Sequence, residues 1–135
     1  MSYKIDEIEG IGPATKVKLA EADINTTADL LKACCEKKGR QSTAERTGCT
    51  ESQLLKWTNM ADLMRVSGVG EEYSELLEAA GVDTIKELRN RNAANLAAAM
   101  KEGNSERKLT RTVPGESTVA KWIEHASTLE PLITH

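Results

Sequence analysis

A glycine-rich turn near the N-terminus is the clearest place where this chain could do chemistry. Residues 8–13 read Ile-Glu-Gly-Ile-Gly-Pro. Glycine permits a positive φ and a close approach of other groups, and proline fits the first position of a helix. Such a turn can present free backbone amides at the positive end of the following helix, where they could hold a phosphate oxygen. The residues predicted to do so are Gly10, Ile11 and Gly12, with Thr15, Lys16 and Lys18 beside them in the helix.

A second turn of the same form lies 58 positions further on, where residues 68–70 read Gly-Val-Gly. Gly68 and Gly70 could offer their amides in the same way and are included in the predicted site. Glutamates follow at positions 71, 72 and 75. A carboxylate stabilises a helix N-terminus by about 0.3–1 kcal/mol, and the same carboxylate would repel a phosphate. The second turn is therefore expected to be mainly structural.

The two turns belong to a longer internal repeat. At an offset of 58 positions, apolar residues match apolar residues as far as Leu30 and Leu88. The offset then becomes 65, where Trp57 aligns with Trp122, so the second copy carries seven extra residues (65 minus 58). A repeat of this kind indicates one structural unit used twice. We expect the first unit in residues 1–60 and the second in residues 61–135.

Local signals predict helices throughout. Of the 135 residues only 3% are aromatic and none is Phe, which disfavours a β-sandwich or barrel. Thr26 and Thr84 are each followed three residues later by an acid, and Thr50 by Gln, as in a helix capping box. Asn92 is expected to begin a helix over 93–102 that Gly103 ends, and a further helix is expected over 39–48. The predicted fold is all-α: two tandem units of helix, hairpin and helix with additional short helices, forming one compact domain.

The apolar residues of these helices can be assigned from their spacing. Trp57 and Trp122 could stack on bases, as aromatic residues of single-strand binders do. Each also has small or apolar neighbours three residues before and four after it, which favours packing inside the protein. In the helix after the first turn, Ala14, Val17, Leu19 and Ala20 are likewise expected to share one buried face.

Overall charge excludes one mode of nucleic-acid binding. The 18 basic and 21 acidic residues leave a net charge of -3, so the chain cannot coat a nucleic acid by its total charge. The densest basic segments are 37–46 and 107–111. Both could contact phosphates or could be ordinary solvated surface. Arg40, in the first of them, is included in the predicted site.

Other functions find little support in the sequence. No apolar stretch approaches the roughly 18 residues of a membrane span and no signal pattern precedes the first turn, so a soluble, cytoplasmic protein without membrane contact is expected. The three cysteines and two histidines lack the spacing of a metal site. Because no catalytic or nucleotide-binding motif occurs, we expect no enzyme activity, no cofactor and no small-molecule substrate.

The first turn resembles the helix-hairpin-helix motif of DNA-repair and recombination proteins, where such turns hold the duplex backbone without reading bases. The order of motifs resembles a bacterial family called domain of unknown function 4332. The motifs that carry this resemblance include the first turn, the segments 68–73 (Gly-Val-Gly-Glu-Glu-Tyr) and 80–84 (Ala-Gly-Val-Asp-Thr), and the segment 119–123 (Val-Ala-Lys-Trp-Ile). This resemblance covers nearly the whole chain. It implies a compact, all-helical double helix-hairpin-helix fold, and it implies no activity.

Two functions from different classes follow as expectations. In the first, the protein is a non-catalytic module that binds double-stranded DNA through the first hairpin, independently of sequence. In the second, it is an adaptor that binds another protein, and both hairpins are purely structural. Residues 1–65 hold 10 basic and 10 acidic side chains, whereas residues 66–135 hold 8 and 11. This asymmetry favours the first half as a nucleic-acid surface.

Overall fold

The computed structural model describes residues 2–135. A 3₁₀ turn, Ile5–Glu7, precedes eight α-helices: α1 Pro13–Glu21, α2 Thr27–Cys34, α3 Lys37–Thr47, α4 Glu51–Leu63, α5 Glu71–Ala79, α6 Ile85–Leu88, α7 Ala93–Arg107 and α8 Glu116–Thr128. Within the described residues, the only extended pairing is one isolated bridge between Lys4 and Thr26. The predicted all-α class is confirmed. None of the helices in residues 2–135 has the length and apolar character needed to cross a bilayer.

Three helices begin at the predicted caps. The Thr26 hydroxyl accepts a hydrogen bond from the Asp29 amide, and the Asp29 carboxylate accepts one from the Thr26 amide, each at 3.1 Å. Thr50 and Gln53 form the same reciprocal pair before α4, at 3.0 Å for both bonds. Asn92 caps α7. Each cap satisfies amides that the first helical turn leaves free, which is why these starts can be predicted locally.

The cap predicted at Thr84 is wrong. Its side chain makes no cap hydrogen bond. The amide of Ile85 donates instead to Oδ2 of Asp62, at 2.9 Å, so a carboxylate from α4 caps α6. Asp62 reaches this amide through tertiary packing, so the residues around Thr84 alone do not predict which group caps α6.

Two predicted helix boundaries are also wrong, because a glycine expected at the end of each helix lies inside it. Helix α7 runs through Gly103 to Arg107. A Cβ on Gly103 would lie 3.5 Å from the Cβ of Ala79, an ordinary van der Waals contact where α7 packs against α5. Helix α3 begins at Lys37, and Gly39 inside it lies against the carbonyl of Ala33.

Buried side chains form two clusters, one in each half of the chain. The first cluster runs from Ile5 to Met64 and the second from Leu63 to Ala126. Because Leu63 and Met64 belong to different clusters, the end of α4 is shared between them. In the first half α4 packs against α2 and α3; in the second half α8 packs against α6 and α7; α4 also contacts α5.

The tryptophans are core residues of these clusters. Trp57 lies in the first cluster and Trp122 in the second, with 5% and 3% of their surfaces exposed. Their predicted burial is confirmed. The Tyr73 ring lies 5.2 Å from the Trp122 ring, centroid to centroid, in a tilted arrangement.

The apolar face predicted for α1 is largely wrong. Leu19 is its buried residue, while Ala14 is exposed and Val17 is 59% exposed. The reason is the surroundings of the helix. Helix α1 packs chiefly against α3 and the 3₁₀ turn, whereas α5, in the corresponding place of the second half, packs against both α4 and α7.

Asp62 joins the two halves. Its carboxylate is 1% exposed, and Oδ2 accepts the amide of Ile85 from α6. Oδ1 accepts a hydrogen bond from Nη1 of Arg65 at 2.8 Å, and the same Nη1 donates to the carbonyl of Glu130 at 3.0 Å. One buried carboxylate therefore holds together α4, the start of α6 and the segment after α8.

Replacing Asp62 with alanine is expected to lower the free energy of unfolding by about 3 kcal/mol, because a buried amide and a guanidinium lose their partner. Asp83→Ala is the matched control, since Asp83 is exposed; a change within about 0.5 kcal/mol is expected there. Denaturant unfolding followed by circular dichroism measures both. Equal, small losses in the two variants would contradict the role assigned to Asp62.

Candidate nucleic-acid interface

The two glycine turns have the same backbone conformation. We call residues 8–13 the first hairpin and residues 66–71 the second hairpin. Gly10 has a φ of 95° and Gly68 a φ of 90°, in the left-handed region that favours glycine. Gly12 and Gly70 are both extended, with φ of -88° and -103°, and each precedes the first residue of a helix. Both hairpins therefore lead into the following helix with the same backbone conformation.

An indole lies against the left-handed glycine of each hairpin. A Cβ on Gly10 would lie 3.2 Å from Nε1 of Trp57, and a Cβ on Gly68 would lie 3.3 Å from Nε1 of Trp122. Helix α4 therefore packs against the first hairpin through Trp57, and α8 packs against the second hairpin through Trp122. The tryptophans fix the hairpins, which agrees with the packing role that the sequence favoured over base stacking.

In the first hairpin, two of the three predicted amides are available. Gly10 and Gly12 are exposed, and their amides have no acceptor among residues 2–135. The amide of Ile11 donates to the carbonyl of Ile8 at 3.2 Å, and the Ile11 side chain is buried in the first cluster. Ile11 therefore anchors the hairpin, and its amide, already bonded to Ile8, is not free for an anion as the sequence predicted.

The polar side chains beside these amides point to different sides of α1. Nζ of Lys16 lies 3.3 Å from Oδ2 of Asp6, and the two side chains are 51% and 39% exposed. An exposed ion pair of this kind is worth about 0–1 kcal/mol, so Lys16 can exchange Asp6 for another anion. Lys18 is exposed as well, but residues two apart on a helix do not share a face. Lys16 and Lys18 therefore cannot meet the same phosphate, and Thr15 is half-buried between them.

Arg40 does not belong to this surface. It is 3% exposed, and its Nη1 donates to the carbonyls of Cys34 and Cys35 at 3.0 and 3.1 Å. Its Nη2 donates to the carbonyl of Thr134 at 2.7 Å. The guanidinium thus ties the C-terminal segment to the end of α2, and in this arrangement Arg40 is not exposed to a phosphate. The basic run around it gave no sign of this burial.

The second hairpin is partly covered. The amide of Ser67 donates to Nδ1 of His125 on α8 at 2.9 Å, and the carbonyl of Val69 accepts a bond from the Tyr3 hydroxyl at 3.4 Å. Gly68 is exposed and Gly70 is half-buried. Contacts from α8 and from the N-terminal segment therefore restrict access to this hairpin.

An acidic residue of the first hairpin, Glu9, affects the acids that begin α5. Glu71 is the first residue of α5. Burial, and next the Glu9 carboxyl, raise the pKa of Glu71 from 4.5 to about 7. The pKa of Glu75 is also raised, first by burial and then by the charge of Glu9. Sequence reasoning treated these acids as favourable to the helix start and missed Glu9, because it lies 62 positions (71 minus 9) before Glu71.

An all-helical domain with two cores and an exposed amide-bearing hairpin is the class that this geometry defines. Residues 9–129 match the family described as Domain of unknown function (DUF4332), and the chain belongs to that family. The family expected from the sequence is confirmed. No curated protein and no solved structure matches the chain. Within residues 2–135, no three His, Cys, Asp or Glu side chains converge as a metal site would require.

Replacing Gly10 with alanine is expected to lower the free energy of unfolding by about 1–2 kcal/mol, because alanine is strained at positive φ and its Cβ would press on the Trp57 indole. Gly12→Ala is the matched control. Its φ suits any residue and a Cβ there meets nothing within 4 Å, so near wild-type stability is expected. Urea unfolding of the two variants measures the difference. A Gly10→Ala protein as stable as the Gly12→Ala protein would show that the left-handed turn is not required.

Proposed function

We propose that this protein is a non-catalytic module that binds the phosphate backbone of double-stranded DNA, independently of base sequence, through the first hairpin. The observation that carries the proposal is the pair of exposed amides at Gly10 and Gly12, unpaired among residues 2–135, at the positive end of α1. Amides at a helix N-terminus attract anions without any basic side chain. Lys16 adds a cation that is held only by an exposed ion pair.

The repeated geometry supports a second part of the proposal, that the fold consists of two helix-hairpin-helix units derived by duplication. Positions 58 apart share positive φ angles. Asp23 has a φ of 62° and Gly81 a φ of 91°, and Gly10 and Gly68 are a second such pair. The amides of Ile24 and Val82 donate to the carbonyls of Leu19 and Leu77, both at 2.9 Å. On this basis the units divide within the last turn of α4, close to the boundary expected at residue 60.

The surroundings of the first hairpin set the strength expected for such binding. Asp6, Glu7 and Glu9 are all exposed and lie on or just before the hairpin. Few phosphates can therefore be held, so the affinity should be micromolar or weaker, with a salt slope of about -0.9 per phosphate engaged. The protein is proposed to work in the cytoplasm, where its three free cysteines stay reduced.

A second candidate function is that of a protein-binding adaptor. It is favoured by the exposed apolar side chains of α1, where Val17 is 59% exposed and Ala14 is also exposed. Singly exposed apolar residues are common on soluble proteins, so this surface supports the adaptor less strongly than the free amides support DNA binding.

The double variant Lys16→Glu, Lys18→Glu is expected to abolish DNA binding while leaving the protein folded, because it puts a carboxylate in place of the cation beside the hairpin and a second carboxylate on another side of α1. The matched control is Lys37→Glu, Lys38→Glu, the same charge change at two exposed residues of α3. Fluorescence anisotropy with a long duplex, at low and moderate salt, measures binding, and circular dichroism checks the fold.

The two variants separate local from general electrostatics. Loss in the first and retention in the second supports the hairpin as the binding surface. Equal losses in both would mean that total charge, not the hairpin, governs binding. A folded wild-type protein with no detectable complex at low salt would contradict DNA binding and favour the adaptor.

A further inference from the structure

A cavity of about 460 Å³ lies between α2 and the segment that follows α8. Ala28 and Leu31 line it from α2, and Leu129 and Leu132 line it from that segment. Sites for small molecules have volumes of about 300–1,000 Å³, so the cavity is large enough to hold one. None of the residues that line it belongs to either hairpin, so it is separate from the surface proposed to bind DNA.

The apolar side chains of this cavity are only partly covered by the rest of the protein. Leu132 is 38% exposed, Ala28 is exposed and Leu129 is half-buried. Leu31 belongs to the first core cluster, whereas Leu129 packs against the second. The cavity therefore lies where the edges of the two clusters approach each other. An alkyl chain placed there would remove apolar surface from water, which is favourable for each methylene buried.

Two cationic side chains line the same cavity and, among residues 2–135, no acid does. They are Lys32 of α2, which is exposed, and Arg65, whose side chain is 19% exposed. Nη1 of Arg65 donates to Oδ1 of Asp62 at 2.8 Å and to the carbonyl of Glu130 at 3.0 Å. Its Nε and Nη2 have no acceptor among residues 2–135. Arg65 therefore keeps N–H donors for a further anion.

The acids nearest to these cations are bound to other groups. Asp62 is buried and pairs with Arg65, which balances the charge of that guanidinium. Asp29, three residues before Lys32, accepts two backbone amides at the start of α2, at 3.0 and 3.1 Å. Lys32 has no salt bridge within residues 2–135. About one positive charge is thus left for a ligand, which suits a single negative charge better than a double one.

We propose that this cavity binds a small amphipathic anion, an alkyl chain that carries a carboxylate head group. The chain packs against the leucines, and the carboxylate binds Lys32 and the free N–H groups of Arg65. A planar guanidinium matches the two oxygens of a carboxylate. No sequence motif indicates the site, because its residues come from α2, from the chain after α4 and from the segment after α8.

The first test varies the ligand. Isothermal titration calorimetry measures binding of hexanoate, octanoate and decanoate to the wild-type protein, below the concentrations at which they form micelles. Each added methylene should lower Kd about fourfold for as long as the chain still fits the cavity. Octanol and octylamine have the same chain without the carboxylate. Both should bind about tenfold more weakly than octanoate, because hydrogen bonds to the charged head group are lost.

The second test varies the protein. Ala28→Trp fills the cavity and should abolish octanoate binding. Ala94→Trp is the matched control, since Ala28 and Ala94 are each the exposed second residue of a helix, α2 and α7. Lys32→Gln should weaken octanoate binding several-fold and leave octanol binding unchanged. Lys37→Gln removes the same charge from an exposed residue of α3 and should change neither. Circular dichroism checks that each variant is folded.

The outcomes distinguish this ligand from other occupants of the cavity. Equal affinities for octanoate and octanol, or equal effects of Lys32→Gln and Lys37→Gln, would overturn the role of the cations. No octanoate binding by the folded wild-type protein, or equal binding by the two tryptophan variants, would overturn the site. Sedimentation of the unliganded protein tests for a second copy of the chain. A wild-type dimer that Ala28→Trp converts to a monomer would assign the cavity to a contact between copies and overturn the proposal.

Discussion

The contact between a left-handed glycine and an indole fixes the part of each half that could act on another molecule. In both halves the tryptophan lies in the core and its Nε1 lies beneath the hairpin glycine. The position of each hairpin therefore depends on how α4 or α8 packs against the rest of its cluster. A change deep in either core should move the hairpin backbone, since a close-packed interior transmits displacement instead of absorbing it. A binding surface made of backbone amides needs this support, because it has no long side chain that could adjust.

Buried charge connects the parts that the apolar clusters leave separate. Asp62 links α4 to α6, and Arg65 extends that link to the segment after α8. Arg40 then fastens the C-terminal segment to the end of α2. These hydrogen bonds run between chain segments far apart in sequence, so they fix how the two halves sit together. Each buried charge has several partners, which is the condition under which burial of a charge is tolerated.

Features with a local cause could be predicted from the sequence, and features with a distant cause could not. The caps at Thr26 and Thr50 need only a partner three residues away, and both formed. The hairpin glycines and the tryptophans were found because they occur twice at matching positions. By contrast, the burial of Arg40 depends on Thr134, 94 residues further along. A basic residue with a buried carbonyl partner looks the same in sequence as one in solvent.

The same distinction explains the candidate site. The exposure of Gly10 and Gly12 follows from the local turn and was expected, while the effect of Glu9 on the pKa of Glu71 follows from the packing of one half against the other. The fate of Ile11 shows a further limit. The motif predicts that the amides of Gly10, Ile11 and Gly12 are equally available, but the turn uses the Ile11 amide in a hydrogen bond to the carbonyl of Ile8.

The two hairpins share one backbone conformation but differ in the side chains, and so in the charge, at the start of the helix that follows. The first residue of the following helix is Pro13 in one and Glu71 in the other, and the cation Lys16 corresponds to the buried Ser74. Proline removes an amide but brings no charge, so the first hairpin keeps its positive end open to an external anion. Glutamate brings an internal carboxyl group to the same place, and burial together with Glu9 raises the pKa of that group. The residue at the helix start therefore sets the chemistry beside each hairpin, with no titratable side chain at Pro13 and a carboxyl group of raised pKa at Glu71.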